Sequence, residues 1–264
     1  MAVILMNPNV AEMNTVLSIK QGNELILPDI FAGDDVRFAD DLVSYFVQRF
    51  TRSGDLVFDP FAGFGTTLFV ARKLGRIGYG IEFLPERAAY IESILDDKSH
   101  IICASALDLD GIALPDIDFS FTSPPYMSKN DHEEYPLAAY QKTGADYTQY
   151  LLDIQMVYRH LRTKLKPDAY AVIEISNMIH NGSLTTLPWD VAQSICEVMM
   201  LEKEIIINWQ REDNAVMNDD TSQADRWRKE TAIKNDRYGF GYDHSYCLIF
   251  KNTFKSKKDN PTPI

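Results

Sequence analysis

Cysteine is scarce in this sequence, with three residues among 264 and no pair in a CxxC spacing. Cys103, Cys196 and Cys247 lie far apart in apolar settings. This pattern predicts small core residues rather than disulfides or metal ligands, so no metal site is expected.

Long apolar runs are also missing, since none reaches the roughly 20 residues that a membrane-spanning helix requires. Residues 1–6 are apolar, but they are too few for a signal peptide and no basic cluster precedes them. Hydrophobic content of 45% and charged content of 24% are ordinary for a globular protein. We therefore expect a cytoplasmic protein without a membrane partner.

Positive charge is in deficit, because 26 Lys and Arg face 38 Asp and Glu, giving a net charge of −12. Nucleic-acid-binding proteins usually carry a basic footprint. The balance argues against such a partner unless a local basic face exists on an acidic whole. Residues 210–244 offer one candidate, because Arg and Lys alternate there with Trp227, Tyr238 and Phe240. Acidic residues dilute that segment, so a plain solvated loop stays open as an alternative.

Two common nucleotide-binding signatures, GxGxxG and Gly-Lys-Ser/Thr, do not occur. Instead, an apolar run at 56–58 predicts a short strand that ends at Asp59. Residues 60–67 follow with Gly63 and Gly65, which permit a tight turn and close approach of a ligand. A helix is predicted to begin at Thr66 or the residue after it. Strand, glycine turn and helix N-terminus together predict a nucleotide-like pocket that need not hold phosphate.

Two further strands are predicted at 77–82 and 100–103, and candidate ligand-binding residues lie at or just after their ends. Glu82 ends the first, where an acidic side chain can accept both hydroxyls of a ribose; a solvated glutamate is the alternative. Ser105 and Ala106 follow the second and would line an adenine pocket.

An apolar run at 117–121 ends abruptly in Ser123, Pro124, Pro125 and Tyr126. Proline cannot donate to a sheet ladder and fixes its own φ, so the strand must stop in a stiff loop. Such a loop suits a flat ring bearing an exocyclic amine, although an ordinary Pro-Pro turn has the same sequence.

Strands and helices alternate along the chain, which predicts an α/β fold with a Rossmann-like, doubly wound, mostly parallel sheet and an antiparallel C-terminal strand. We expect a lead-in segment at 1–36 with a short strand at 25–28, and one domain at 37–251. Polar insertions are expected at 127–146 and 210–244, followed by a mobile basic tail at 252–264.

Over about residues 37–250 the sequence resembles the DNA N4-cytosine/N6-adenine methyltransferase family. Two motifs together carry this resemblance: Asp-Pro-Phe-Ala-Gly-Phe-Gly-Thr-Thr at 59–67 and Thr-Ser-Pro-Pro-Tyr at 122–126. The resemblance implies a class I methyltransferase fold and S-adenosylmethionine as cofactor. It also implies cofactor-binding roles for Phe38, Asp59, Phe61, Gly63, Gly65, Thr66, Glu82, Ser105 and Ala106. Among these, Glu82 would bind the ribose and Asp59 would lie near the cofactor's amino group.

The same resemblance assigns catalysis to Ser123, Pro124, Pro125 and Tyr126, which would hold the target amine and its base. Serine at the first of these positions favours cytosine N4 over adenine N6. The sequence contains no Pro-Cys pair, which argues against a methyltransferase that attacks a pyrimidine ring through a thiolate. The base would flip out of DNA. No large target-recognition domain is evident, so recognition would use the two short insertions, a homodimer or a separate partner.

Three alternatives remain open from the sequence. An RNA methyltransferase of the tRNA guanine-N2 type would share the cofactor and the chemistry. A protein-glutamine methyltransferase would usually carry Asn at the Ser123 position. A non-catalytic binding module would be expected to have a damaged motif, whereas both motifs are intact.

Overall fold

One sheet of eight strands organises the part of the chain that the computed structural model describes, which is residues 9–34, 36–95, 98–130, 134–139, 146–180, 182–210 and 244–253. The strands are β1 Val16–Lys20, β2 Leu56–Asp59, β3 Ile77–Glu82, β4 His100–Cys103, β5 Ile117–Thr122, β6 Leu165–Ile175, β7 Met178–His180, β8 Ser183–Thr185, β9 Met200–Gln210 and β10 His244–Lys251. The α-helices are α1 Asp40–Phe50, α2 Thr66–Lys73, α3 Pro85–Ile94, α4 Tyr147–Lys164 and α5 Leu187–Cys196.

The strand order in this sheet is β1-β9-β10-β6-β5-β2-β3-β4, while β7 and β8 form a separate hairpin. Strand β10 runs antiparallel to β6 and β9, and the other neighbours in the large sheet are parallel. This confirms the predicted fold class. The chain winds outward from β2 in one direction and from β5 in the other, so the topological switch point lies between β2 and β5. Ligands bind at such points in open α/β sheets.

Both faces of the sheet are covered by helices. Helix α1 buries Leu42, Val43 and Phe46 on one face, where they pack in a cluster with Phe119 and Phe121 of β5. On the other face α4 carries a buried stripe at helical spacing, made of Tyr150, Ile154, Val157, Tyr158 and Leu161. Apolar residues on both sides of one sheet are what a doubly wound arrangement requires.

A glycine in β3 sets the distance between the sheet and α2. A Cβ added to Gly78 would lie 2.9 Å from Cα and 3.1 Å from the carbonyl oxygen of Leu68. Helix α2 can therefore lie closely on β3 only because this side chain is absent. The close packing fixes where α2 begins, at the edge of the sheet that carries the glycine turn.

Three expectations differ from the structure. The N-terminal strand is β1, at Val16–Lys20, and not at 25–28; Leu17 and Ile19 alternate with exposed neighbours and β1 pairs in parallel with β9. The run Asn-Gly-Ser at 181–183 is typical of a loop, whereas Ser183 begins β8 of the hairpin. Cys103 and Cys196 are exposed at the last residues of β4 and α5, and only Cys247, inside β10, is a core residue.

Some expected features lie outside the described residues. These are most of the 210–244 insertion, parts of the 127–146 insertion, and the tail from residue 254. Within the described ranges, no helix combines the length and apolar character that crossing a bilayer requires.

Candidate active site

Asp59 connects the two sequence motifs at the switch point. Its side chain is fully buried at the end of β2, and one carboxyl oxygen accepts a hydrogen bond from Thr67 at 2.7 Å. The other accepts from the Thr122 hydroxyl at 2.5 Å and from the Phe61 backbone N–H at 2.9 Å. Thr67 belongs to α2 and Thr122 ends β5, so this one carboxyl group ties the glycine turn to the Ser-Pro-Pro-Tyr loop.

Burial dominates the titration of this group. Desolvation raises the pKa of Asp59 from 3.8 to about 6, against the opposing effect of its hydrogen bonds from Thr122, Thr67 and Phe61. A position near the cofactor's amino group stays a prediction for Asp59.

The glycine turn between β2 and α2 has the backbone that its sequence predicts. Gly63 has φ of 58° and Gly65 has φ of 82°, both in the left-handed region that favours glycine. Gly65 caps α2, and the hydroxyl oxygen of Thr66 is buried without a hydrogen-bond partner among the described residues. Phe64 points away from the turn and packs on Phe31 with ring centroids 5.2 Å apart. The N-terminal segment therefore packs against the glycine turn through Phe31.

Glu82 is locked into this turn by backbone donors. Its carboxyl oxygens accept from the N–H of Gly63 at 2.9 Å and of Leu84 at 2.8 Å. The side chain is only 7% exposed, which rules out the solvated glutamate considered from the sequence. Burial raises the pKa of Glu82, while the Leu84 N–H, Arg87 and the Gly63 N–H oppose that shift. A carboxylate has about four acceptor positions, so Glu82 keeps acceptor capacity for the two hydroxyls of a ribose.

The remaining residues predicted to bind the cofactor surround this edge with different exposures. Ser105 follows β4, and its hydroxyl accepts from the Leu107 N–H at 3.2 Å. Ala106 is buried, and Phe61 is half-buried against the same core cluster. Phe38 precedes α1 and packs edge-on to Phe121 of β5 at 5.3 Å. Their contacts with a cofactor stay predictions.

The loop after β5 turns a tyrosine hydroxyl into the protein. The hydroxyl of Tyr126 accepts from the Ser176 N–H at 3.1 Å and lies 3.5 Å from the Ser123 hydroxyl and 3.4 Å from a carboxyl oxygen of Glu174. Burial and the nearby Glu174 raise the pKa of Tyr126 well above its usual value. Ser123, Pro125 and the Tyr126 ring are half-buried, whereas Pro124 is buried.

Sequence reasoning missed two residues of this site. Tyr150 of α4 donates to the carbonyl of Pro125 at 3.0 Å, and Glu174 lies near the end of β6. A signal for Glu174 was present, since a carboxylate inside an apolar strand is seldom buried without a reason. Tyr150 carried none, because an aromatic residue at helical spacing is ordinary core.

Part of this chain is similar to a known protein family. Residues 22–93 match a family model described as DNA methylase, a range that contains the glycine turn and Glu82. A comparison with curated proteins finds no match.

Two solved structures show a similar fold. TrmN from Thermus thermophilus is 14% identical with a TM-score of 0.51, and the alignment covers 84% of this chain and 52% of that chain. A putative sarcosine dimethylglycine methyltransferase from Galdieria sulphuraria is 14% identical with a TM-score of 0.50, over 81% of this chain and 85% of that one. The chain thus spans about half the length of the Thermus protein.

Proposed function

We propose a reaction for this chain that starts from its family match. Residues 22–93 match the DNA methylase model, which confirms the resemblance to DNA N4-cytosine/N6-adenine methyltransferases. Together with the fold, the match indicates S-adenosylmethionine as the cofactor. The reaction is methyl transfer to an exocyclic amino group of a base in DNA, with cytosine N4 favoured over adenine N6.

The observation that carries this proposal is the Asp59 carboxyl group. It bonds to Thr67 on the cofactor side and Thr122 on the catalytic side. Because β2 and β5 are neighbours, a methyl donor held by the glycine turn would face an amine held by the Ser-Pro-Pro-Tyr loop. Chemistry at two adjacent strand ends of an open sheet is the arrangement expected at a switch point.

The residues on the cofactor side fit a nucleoside. Glu82 offers acceptor positions to the ribose, and a Cβ at Gly63 would meet nothing closer than a carbonyl oxygen at 4.0 Å, which leaves space beside the turn. Ser105 and Ala106 border the adenine in this proposal. The cofactor supplies an electrophilic methyl carbon when it is bound.

On the catalytic side the chain's own residues prepare a poor nucleophile. An amine conjugated with a base ring has little free lone pair. The Ser123 hydroxyl and the carbonyl of Pro124 accept its N–H bonds and favour the pyramidal form, while Tyr126 contacts the ring. Catalysis then rests on positioning and electrostatic stabilisation. The base must leave the duplex to reach this loop.

Serine at position 123 supports cytosine in this proposal. Target recognition would fall to residues 127–146 and 210–244, to a second copy of the chain, or to a separate partner. The activities of the similar structures do not carry over, since their identity of 14% speaks for the fold alone.

Identification of the methylated nucleoside tests the proposal. The protein is incubated with isotopically labelled S-adenosylmethionine and, separately, with DNA, RNA and peptide pools, and the products are digested and analysed by mass spectrometry. We expect labelled N4-methylcytosine from DNA. N6-methyladenine would correct the base assignment, and label confined to RNA or peptide would overturn the DNA assignment. The proposal fails if no pool takes up label while the protein binds the cofactor.

A further inference from the structure

Glu174 is a buried carboxyl group beside the catalytic loop. It is 7% exposed near the C-terminal end of β6, and within the described ranges it forms no ion pair. In the β5–β6 register Thr122 pairs with Ile173. The next residues along these parallel strands, Ser123 and Glu174, are therefore level with each other.

The side chains around Glu174 are hydroxyl groups rather than cations. The Tyr126 hydroxyl lies 3.4 Å from one carboxyl oxygen. The hydroxyls of Ser245 and Ser123 also approach the carboxyl group and, with Tyr126, oppose the rise that burial causes in its pKa. Burying a carboxyl group without a cation is costly. The arrangement does not stabilise the strand, but it suits a carboxyl group that accepts a proton.

Two other titratable groups face Glu174. Tyr126 lies on the loop, and Cys247 is the residue opposite Glu174 on β10. Burial, with the charge of Glu174 as a second cause, raises the pKa of both well above their usual values. Both stay protonated at neutral pH, so Glu174 is the group in this cluster that can take up a proton.

We infer that Glu174 is a positioning residue for the proposed reaction, orienting the Ser123 hydroxyl and receiving through it the proton that the amine loses. This inference rests on the proposed function. A hydroxyl presents a lone pair to an amine N–H only when its own hydrogen is engaged elsewhere. Ionised Glu174 accepts that hydrogen from Ser123, directly or through the Tyr126 hydroxyl, which lies between them at 3.5 and 3.4 Å. Such contacts tighten when substrate binds.

The proton balance of the step follows from this geometry. The amine nitrogen forms a bond to the methyl carbon as the carbon–sulfur bond breaks, and that electron pair stays on sulfur. The nitrogen then carries a positive charge and gives one proton to the Ser123 oxygen, while the serine's own proton passes to Glu174. The products are a neutral methylated amine, a neutral thioether and a protonated Glu174, which returns its proton to water.

The test compares Glu174→Gln, Glu174→Asp and the wild type in pH profiles of kcat on a DNA pool. The wild-type kcat should rise with pH along an acid limb set by Glu174 ionisation. Glu174→Gln should lower kcat by about 100-fold, a typical contribution of a positioned proton acceptor, and should remove that limb. Glu174→Asp should restore part of both. Cofactor affinity by calorimetry and the KM for DNA should change less than about threefold, because the inference gives Glu174 no direct contact with either ligand.

Glu202→Gln is the matched control, since Glu202 is also a strand carboxylate beside a tyrosine hydroxyl, that of Tyr170 at 3.1 Å, on β9 away from the loop. It should leave kcat and its pH profile unchanged. A wild type that methylates no base removes the proposed function and this inference with it. An active wild type with an unchanged rate and pH profile in Glu174→Gln overturns the inference alone. So does an equal loss in the Gln and Asp variants that tracks a lower melting temperature.

Discussion

The two sides of the switch point are built differently. On the cofactor side Glu82 accepts from the backbone N–H groups of Leu84 and Gly63 at 2.8 and 2.9 Å, and Gly63 has a φ of 58° that glycine adopts readily. On the catalytic side the Ser123 and Glu174 contacts of the Tyr126 hydroxyl measure 3.5 and 3.4 Å. Backbone donors are fixed by the strand and turn, while hydroxyl groups rotate. The cofactor side is therefore preformed, and the catalytic side has room to tighten on a substrate.

The largest expected effect separates the two sides by function. Ser123→Ala removes the proposed acceptor for the amine and should lower turnover by about 100-fold or more, as loss of one stabilising hydrogen bond in a transition state does. Cofactor affinity should not change, because Glu82 and the turn are untouched. Steady-state kinetics and calorimetry measure both. Ser120→Ala is the control, since Ser120 is buried in β5, three residues before Ser123, without a partner among the described residues. Equal loss of cofactor binding in Ser123→Ala would contradict the division.

The second prediction concerns the joint between the sides. The pKa of Asp59 is about 6 in the folded chain against 3.8 ordinarily. Below pH 3.8 the Asp59 carboxyl is protonated in both the folded and the unfolded chain, so its titration does not lower the free energy of unfolding there. Stability is lost as pH rises from 3.8 to about 6, by about 3 kcal/mol in all. Asp59→Asn lacks this dependence, so its unfolding free energy relative to wild type should rise across that window. Urea unfolding at pH 4 and 7 measures it, and parallel slopes for the two proteins would refute the assignment.

A smaller effect is expected from the preformed side. Glu82→Ala removes hydrogen bonds to a charged acceptor, each worth about 1.5–3 kcal/mol, and should weaken cofactor binding by about 10- to 100-fold. Glu82→Gln, which keeps the size and one acceptor, should fall between. Turnover at saturating cofactor should stay near wild type. Glu86→Gln, an exposed neighbour on α3, is the control for a lost charge. Unchanged affinity in Glu82→Ala would remove the ribose assignment.

The smallest effect tests how the catalytic loop is held. Tyr150→Phe frees the Pro125 carbonyl from its 3.0 Å hydrogen bond, which should cost about 1 kcal/mol of stability and lower turnover a few-fold. Tyr158→Phe is a matched change on the same helix. The Tyr158 hydroxyl is buried with no partner in the described part of the chain, so its removal should be neutral or stabilising. Thermal unfolding and single-turnover rates distinguish the variants, and identical behaviour of the pair would show that the Pro125 contact is without consequence.

Local sequence was enough for much of the fold. The strand predicted at 77–82 is β3, and α2 begins at Thr66, one of the two positions predicted for the start of that helix. Each depends on signals within a few residues: an apolar run for the strand and a glycine turn for the helix start. The hairpin of β7 and β8 was missed because its exposed pair, Ile179 and Leu184, follows no periodic pattern that a short segment could reveal.

By itself the sequence determined the two motifs, the glutamate between them and the winding of the sheet, because turns, caps and strand ends are local events. Only the tertiary structure decided which side chains complete the site. Asp59 meets Thr122 across 63 residues, Tyr126 meets Glu174 across 48, and Tyr150 reaches Pro125 across 25. A hydrogen bond between distant residues depends on strand order and register, which the packing of helices on both faces of the sheet selects.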